Sequence, residues 1–394
     1  MTSLATCPIV HPATAARRGR LRRVLFAAHL DPSRKFGSLE EQAYLLASAF
    51  RDRGGLFFPV LSAAPDAVGL AHYRDADLDF AALDLSRFRL AALVQLFGLI
   101  RKHRIEIVDW NFLQPLTNAY LWALSLIAPR VEHVFTDHNS RNAAAPRRRF
   151  DVIKRVFLRR YSSVIGVSAF VAECLRSQSI WPAVHTRLHF ANTDRFAPNS
   201  DVRMEVRRRL GAGDRFVLLA VAHLIHAKGI DVAVRALARL PHSAEMWIVG
   251  DGDQSAALER LAQELGVRER VRLLGMQSRV EPYMQAADVF ACPSRWEEAA
   301  GLVNIEAQAC GLPVLASRVG GVPEYVIDGR TGILFPAGDD EALAAAAQRL
   351  MVDADRRRRM SQAARRLAVE QFSVAARLDD YLDLYRVSTR ESER

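Results

Sequence analysis

The sequence predicts an α/β protein built as two Rossmann-like halves that face each other across a cleft. Three observations lead there. The chain has 394 residues, more than one hydrophobic core usually serves, so two domains are expected. Short apolar runs of strand length alternate with amphipathic stretches of helix length, the pattern of a doubly wound parallel sheet. The alternation pauses at 190–200, where Asn192, Asp194, Pro198 and Asn199 mark a linker, and then resumes.

In the first half the strand-like runs are 23–28, 57–62, 105–111, 131–136 and 163–167, with helical stretches such as 39–53 and 90–103 between them. In the second half they are 216–222, 245–249, 271–274, 289–292, 314–316 and 332–335, separated by helices at 231–240, 254–265 and 341–352. The last amphipathic stretch, 374–387, carries Leu378, Tyr381, Leu382, Leu384 and Tyr385. The expected organisation is a disordered basic extension (1–20), an N-terminal Rossmann-like domain (21–195), a C-terminal Rossmann-like domain (196–373) and a terminal helix (374–394). Ligands of open α/β sheets bind beyond the carboxyl ends of the strands, so the loops that follow strands are where a site should lie.

Composition narrows the class. Half the residues are hydrophobic and a quarter are charged, as in soluble globular proteins. No apolar run approaches the roughly 20 residues that span a bilayer. The first twenty residues lack an apolar signal core, which predicts a cytoplasmic protein. Cys7, Cys174, Cys292 and Cys310 form no Cys-x-x-Cys pair, so reduced thiols are expected and a metal cluster is not. Charge is uneven: residues 1–198 hold 27 Lys and Arg against 16 Asp and Glu, and residues 199–394 hold 27 against 28. A basic half attracts an anionic surface, and a peripheral site at the inner face of the cell membrane is one expectation. The competing reading is solvated arginine. A local candidate is a basic helix with Phe150, Ile153, Phe157 and Tyr161 on one face; equally, that face could pack on the domain's own sheet. No nucleic-acid motif is present, and aromatics do not interleave with the charges, so nucleic acid is excluded as a partner.

The chemistry concentrates after the run 289–292. Pro293-Ser294-Arg295-Trp296-Glu297-Glu298-Ala299-Ala300-Gly301 forms a loop, and a helix then opens and carries Glu306 in its second turn. The free N–H groups of Gly301, Leu302 and Val303 at that helix start, with the positive end of its dipole, form an anion site. Glu298 and Glu306, eight residues apart, can accept hydrogen bonds from hydroxyls. A sugar on a nucleoside diphosphate offers both kinds of group. After the run 216–222 come His223 and Lys228-Gly229. An ammonium there can neutralise a leaving diphosphate; the alternative is a lysine left in solvent. The first half offers Gly37-Ser38 after its first strand and His138 after 131–136. A histidine at a strand end can orient a ligand, or it can be structural.

Pro293-Ser294, Glu298, Gly301-Leu302, Glu306-Ala307 and Ala309-Cys310-Gly311-Leu312-Pro313-Val314, in that order, resemble the E-x7-E signature of retaining glycosyltransferases of family 4, which have the GT-B fold. The resemblance spans about residues 22–386 and is tighter in the second half. It implies that Glu298 holds the donor sugar, that Glu306 binds ribose hydroxyls, and that Lys228 and His223 contact the donor diphosphate. It places Met276 in a loop that meets the nucleotide base, Gly37 near the diphosphate and His138 near donor sugar and acceptor. Gly320-Gly321-Val322-Pro323-Glu324 resembles a following turn in which Glu324 is either structural or a donor contact. Two departures stand out: Ala299-Ala300 replaces the usual Gly-Phe, and Ala222-His223 replaces Gly-Arg. The implied activity moves a hexose from a nucleoside diphosphate sugar to a glycan or lipid-linked acceptor in cell-envelope or exopolysaccharide biosynthesis, with no metal or other cofactor. The alternatives are transfer to a small soluble metabolite and a non-catalytic sugar-nucleotide-binding partner subunit.

Overall fold

The computed structural model describes residues 20–33, 36–113, 115, 117–139, 158–178 and 181–386. Two parallel sheets organise them. The first holds β1 (Arg23–Ala28), β2 (Leu56–Leu61), β3 (Ala81–Ala82), β4 (Ile107–Asn111), β5 (Glu132–Asp137), β6 (Ser163–Gly166) and β7 (Ala183–Thr186), in the order β3-β2-β1-β4-β5-β6-β7. The second holds β8 (Phe216–Val221), β9 (Ala244–Val249), β10 (Val271–Leu273), β11 (Val289–Cys292), β12 (Val314–Ser317) and β13 (Gly332–Phe335), in the order β10-β9-β8-β11-β12-β13. The described helices of the first half are α1 (Ser38–Arg51), α2 (Ala67–Asp75), α3 (Leu90–Lys102), α4 (Ala119–Ile127) and α5 (Ala169–Ser177). Those of the second are α6 (Ser200–Arg209), α7 (Ile230–Ala238), α8 (Ser255–Glu264), α9 (Glu281–Ala286), α10 (Leu302–Ala309), α11 (Val322–Tyr325), α12 (Asp340–Val352) and α13 (Ala354–Phe372), followed by α14 (Val374–Leu384).

The central strands are buried along most of their length because helices cover both sheet faces. Phe216 to Ala220, for example, are all buried. Among the described elements that this pattern did not show, three have a plain physical reason. β3 is two residues long. β7 is an edge strand whose side chains are mostly exposed, so it needs no apolar run. In α13, Arg356 to Arg359 mask the stripe of Met360, Ala364, Leu367, Ala368 and Phe372 that the helix buries.

In each sheet the winding reverses between two neighbouring strands, β1 and β4 in the first and β8 and β11 in the second. Loops leaving such a pair depart in opposite directions and leave a crevice at the carboxyl edge. The loops after β4, β8 and β11 all reach one cleft between the halves.

The chain crosses between the halves twice. The outgoing and returning segments meet where Ala191 N–H donates to Phe372 O (2.8 Å). α14 then packs on the first half, with Tyr381 against Phe190 and Tyr385 against Phe50. The Tyr385 hydroxyl donates to Asp109 Oδ2 (2.5 Å) and accepts from the Arg187 guanidinium (2.9 Å). Asp109 Oδ1 accepts from Thr136 (2.8 Å). All four residues are buried.

Phe150, Ile153 and Phe157 of the expected basic helix lie outside the described residues. Tyr161, the fourth member of that face, follows at its own position the reading in which the face packs inside the domain, not the one in which it meets a membrane. It is 2% exposed in the core of the first half, and its hydroxyl donates to Pro115 O (3.2 Å). Ten of the 27 basic residues of 1–198, but one of its 16 acidic ones, fall in 1–19, 34–35 and 140–157. The described part of that half is therefore close to neutral. No helix among the described residues is long and apolar enough to cross a membrane.

Removing the Tyr385 hydroxyl leaves a buried carboxylate short of a donor. Tyr385→Phe should lower stability by about 1.5–3 kcal/mol, read as a shifted denaturant midpoint. An unchanged midpoint would show that the hydroxyl is dispensable to the junction.

Candidate active site between the two halves

The second half builds its side of the cleft from the loops after β8 and β11, which are clamped together. Gly229 ends a single 3-10 turn, His226–Lys228, with φ of 63°. A Cβ there would stand 2.1 Å from Pro293 O, so only glycine permits both the left-handed backbone and the close approach. Arg295 N–H donates to Ala227 O (2.9 Å), and the Arg295 guanidinium grips both oxygens of Asp231 (2.5 and 2.7 Å). The clamp sets Lys228 Nζ 2.6 Å from Glu298 Oε1. Ser294 Oγ donates to that same oxygen (2.5 Å), and Gly321 N–H holds the Glu298 carbonyl (2.7 Å). Lys228 keeps a third of its side chain exposed, so the pair adds little stability. What it fixes is the position of two opposite charges at the cleft wall.

α10 opens at Gly301, whose φ of 68° turns the chain into the helix. The N–H groups of the first turn have no acceptor within the helix, and they carry the positive end of its dipole.

The first half supplies an aromatic and imidazole wall. Phe112, directly after β4, has φ of 60°, a strained value for a bulky residue and a frequent mark of a functional loop. Its ring stacks on His138 at 4.2 Å. His138 Nε2 lies 2.7 Å from Asn111 Oδ1, and Nδ1 lies 3.3 Å from His189 Nε2. His189 Nδ1 in turn lies 2.9 Å from Gln42 Oε1. Burial, then His189 and Arg187, hold the His138 pKa well below the ordinary imidazole value. Burial and Arg187 push His189 down to about 3.

The cleft has a volume of about 270 Å³. Of the residues singled out from the sequence, His138, His223, Lys228, Glu298, Gly301, Leu302 and Val303 line it together. Gly37, Met276 and Glu306 do not. Gly37 precedes α1, and Met276 lies in an exposed loop. Glu306 sits a turn deeper on α10, 2% exposed, where it accepts a hydrogen bond from Ser38 of the first half. Glu324 proves to be a cap across the halves: its carboxylate accepts from the N–H groups of Ala169 and Phe170 at the start of α5 (2.7 and 2.8 Å). Phe112, His189, Asn111 and Gln42 were missed. Phe112 follows a strand run as a single residue without a motif, His189 follows a strand that the pattern did not show, and only the fold brings them to His138. Cys292 also lines the cleft, but burial and Glu298 push its thiol up to about 11, so it offers no thiolate at neutral pH. Among the described residues no cluster of three or more His, Cys, Asp or Glu could hold a metal ion.

Two parallel α/β domains with a phosphate-ready helix end at their shared cleft make up the GT-B architecture. Residues 202–367 match the family described as glycosyl transferases group 1, and residues 39–194 match glycosyltransferase family 4. A GDP-mannose-dependent alpha-(1-6)-phosphatidylinositol monomannoside mannosyltransferase of Mycolicibacterium smegmatis is 35% identical over 291 residues, 70% of this chain and 74% of that protein. A lipopolysaccharide core biosynthesis glycosyltransferase of Rhizobium meliloti, LpsE, is 35% identical over 171 residues, 43% of this chain and 50% of that protein. Among solved structures, Anabaena HepE in complex with UDP and glucose superposes with a TM-score of 0.77 at 21% identity, covering 92% of this chain and 99% of that one. WaaG, a glycosyltransferase involved in lipopolysaccharide biosynthesis, gives 0.67 at 19% identity, covering 92% and 99%. The chain belongs to glycosyltransferase family 4.

The clamp makes Gly229 testable. Gly229→Ala should cost at least about 1–2 kcal/mol from the left-handed backbone alone and should weaken sugar-nucleotide binding by moving Lys228. Thermal unfolding and titration calorimetry measure both, and wild-type values in each would refute the clamp.

Proposed function

We propose that this protein is a retaining hexosyltransferase that passes a hexose from a nucleoside diphosphate sugar to a lipid-linked or glycan acceptor of the cell envelope. The observation that carries the proposal is the meeting of Lys228, Glu298 and the first turn of α10, from one half, with His138 from the other. The diphosphate would lie at the α10 N-terminus, with Lys228 exchanging the Glu298 carboxylate for phosphate oxygens. Glu298, so released, would accept from sugar hydroxyls. His138 would face the sugar from the opposite wall. The acceptor hydroxyl would approach the face of the sugar that the diphosphate leaves: the C1–O bond to phosphate breaks, the acceptor oxygen bonds to C1 from that same side, and the leaving phosphate takes the acceptor's proton, which retains the anomeric configuration. Glu306 would reach ribose hydroxyls once Ser38 yields its hydrogen bond, and Met276 and Gly37 would border the base and diphosphate. His223 would add a phosphate donor.

The names of the relatives support the donor and acceptor classes. GDP-mannose is the first donor to test and UDP-glucose the second. Lys228 and the helix end would carry the phosphate charge without a divalent metal. Transfer should therefore survive chelation with EDTA, and Lys228→Ala should lower turnover on the order of a hundredfold or more while leaving the fold intact. Product analysis of radiolabelled transfer measures both. Near-normal turnover in the variant would remove Lys228 from the mechanism, and donor binding with no transfer or hydrolysis would favour a non-catalytic subunit.

The envelope reading also proposes that the basic first half meets an anionic membrane surface from the cytoplasmic side. Each basic residue near such a surface contributes about 1 kcal/mol, and salt screens the effect. Co-sedimentation with anionic vesicles should be strong at low salt and lost at high salt. Equally poor pelleting with anionic and neutral vesicles would favour a soluble acceptor.

A further inference from the structure

Counting hydrogen-bond donors along Gln42, His189, His138 and Asn111 leaves the row one proton short. Gln42 Nε2 donates to Phe190 O (2.5 Å), which turns Oε1 toward His189 Nδ1 (2.9 Å). Flipping the amide would set two carbonyl oxygens against each other. His189 Nδ1 therefore carries a hydrogen, and Nε2 of the neutral ring is bare. At the other end Asn111 Nδ2 donates to Asp109 O (3.1 Å), which turns Oδ1 toward His138 Nε2 (2.7 Å). The same reasoning puts a hydrogen on His138 Nε2 and leaves Nδ1 bare. The two bare nitrogens face each other at 3.3 Å. Two neutral rings meet there lone pair to lone pair. One more proton turns the contact into a hydrogen bond and gives the pair a single positive charge.

The surroundings do not supply that charge's counter-ion. On β4, Asp109 is held by Tyr385 and Thr136, with Arg187 at 3.9 Å. Arg187 itself adds positive charge beside both rings. Asp137, at the end of β5, accepts from Asn139 N–H (3.1 Å). From α1 comes neutral Gln42, and its neighbour Glu41 is paired with Arg195 (2.9 Å). From the second half, the Tyr325 hydroxyl accepts from His189 N–H (3.3 Å) and donates to Val167 O (2.7 Å). Within the cleft Glu298 is paired with Lys228, and His223 is the other imidazole. The depressed imidazole pKa values agree: without an anion in the cleft the third proton is absent at neutral pH.

We propose that sugar-nucleotide binding is proton-coupled: the diphosphate draws one proton from solution onto the His138–His189 pair, which shares it between Nδ1 and Nε2 and faces the donor as a second cation beside Lys228. The inference rests on the reading of this cleft as the donor site. It assigns His189 a role through His138, as the residue that lets the ring opposite the sugar become charged only when the donor is present. The sign follows from linkage. The pair binds its proton weakly in the free protein and tightly in the complex, so affinity rises as pH falls through the window between those two states, and neutral pH lies within it.

Calorimetric titration of the full chain with GDP-mannose and with UDP-glucose, in buffers of different ionisation enthalpy near pH 7, reads the proton directly. The diphosphate of a sugar nucleotide is esterified at both ends and has no proton of its own to exchange there. The expected result is uptake of about one proton per bound donor, with affinity rising about tenfold for each pH unit lowered. In His189→Gln the amide N–H can donate to His138 Nδ1 without titrating, so uptake should vanish and the affinity should become flat with pH. Binding whose heat is independent of buffer in the wild-type protein, or uptake undiminished in folded His189→Gln, would overturn the inference and leave the donor site standing; the second result would point to His223. If the variant does not fold, a flat wild-type affinity across pH overturns it equally. A protein that binds neither sugar nucleotide loses both readings.

Discussion

Asp109 and Arg187 bring two opposite charges into the interior of the first half, and they stand too far apart, at 3.9 Å, to satisfy each other directly. The Tyr385 hydroxyl fills the gap by donating to one and accepting from the other. Burying charge without such a partner is costly, so β4 and the segment just after β7, which carry these residues, depend on the last helix returning to them. β4 continues from Asp109 to Asn111, with Phe112 directly after it, and the segment after β7 continues from Arg187 to His189. All three residues beyond the buried charges touch His138. The imidazole wall of the cleft is thus held from behind by the far end of the chain.

The opposite wall depends on a different kind of constraint. Lys228 and Glu298 lie seventy residues apart, and no helix or strand contains both. They meet because β8 and β11 are neighbours at the point where the sheet reverses its winding, and because Gly229 lets one loop lie against the carbonyl of the other. The sheet order selects which loops converge, and a single glycine sets how closely.

Much of this was legible in the chain. Strands buried on both faces read as continuous apolar runs, so eleven of the thirteen described strands could be placed from pattern alone. The loop with Glu298 and Gly301 was legible because a helix start after glycine has a chemical meaning in any fold. Other parts were hidden for physical reasons. β7 lies at an edge, where exposure removes the apolar signal. Glu306 reads as a cleft carboxylate from its spacing, yet the contact with Ser38 depends on how the halves meet, which spacing does not encode. Phe112 carries its information in a backbone angle, and nothing about the letter itself marks a left-handed phenylalanine. His189 gains its meaning only from the ring that the fold sets beside it.

The Glu324 cap has a mechanical consequence. α5 belongs to the first half, but the carboxylate that satisfies its leading N–H groups comes from the second. Next to it, Tyr325 reaches over to the carbonyl of Val167. A rotation that widened the cleft at this edge would leave the Ala169 and Phe170 N–H groups without their acceptor, with Ser168 still holding only Val171 N–H (3.1 Å), and would strand the Glu324 carboxylate. Caps are worth about 0.5–2 kcal/mol, so domain swinging and fraying of α5 are one coupled motion. Amide exchange at Ala169 and Phe170 would then act as a built-in gauge of how often the enzyme opens.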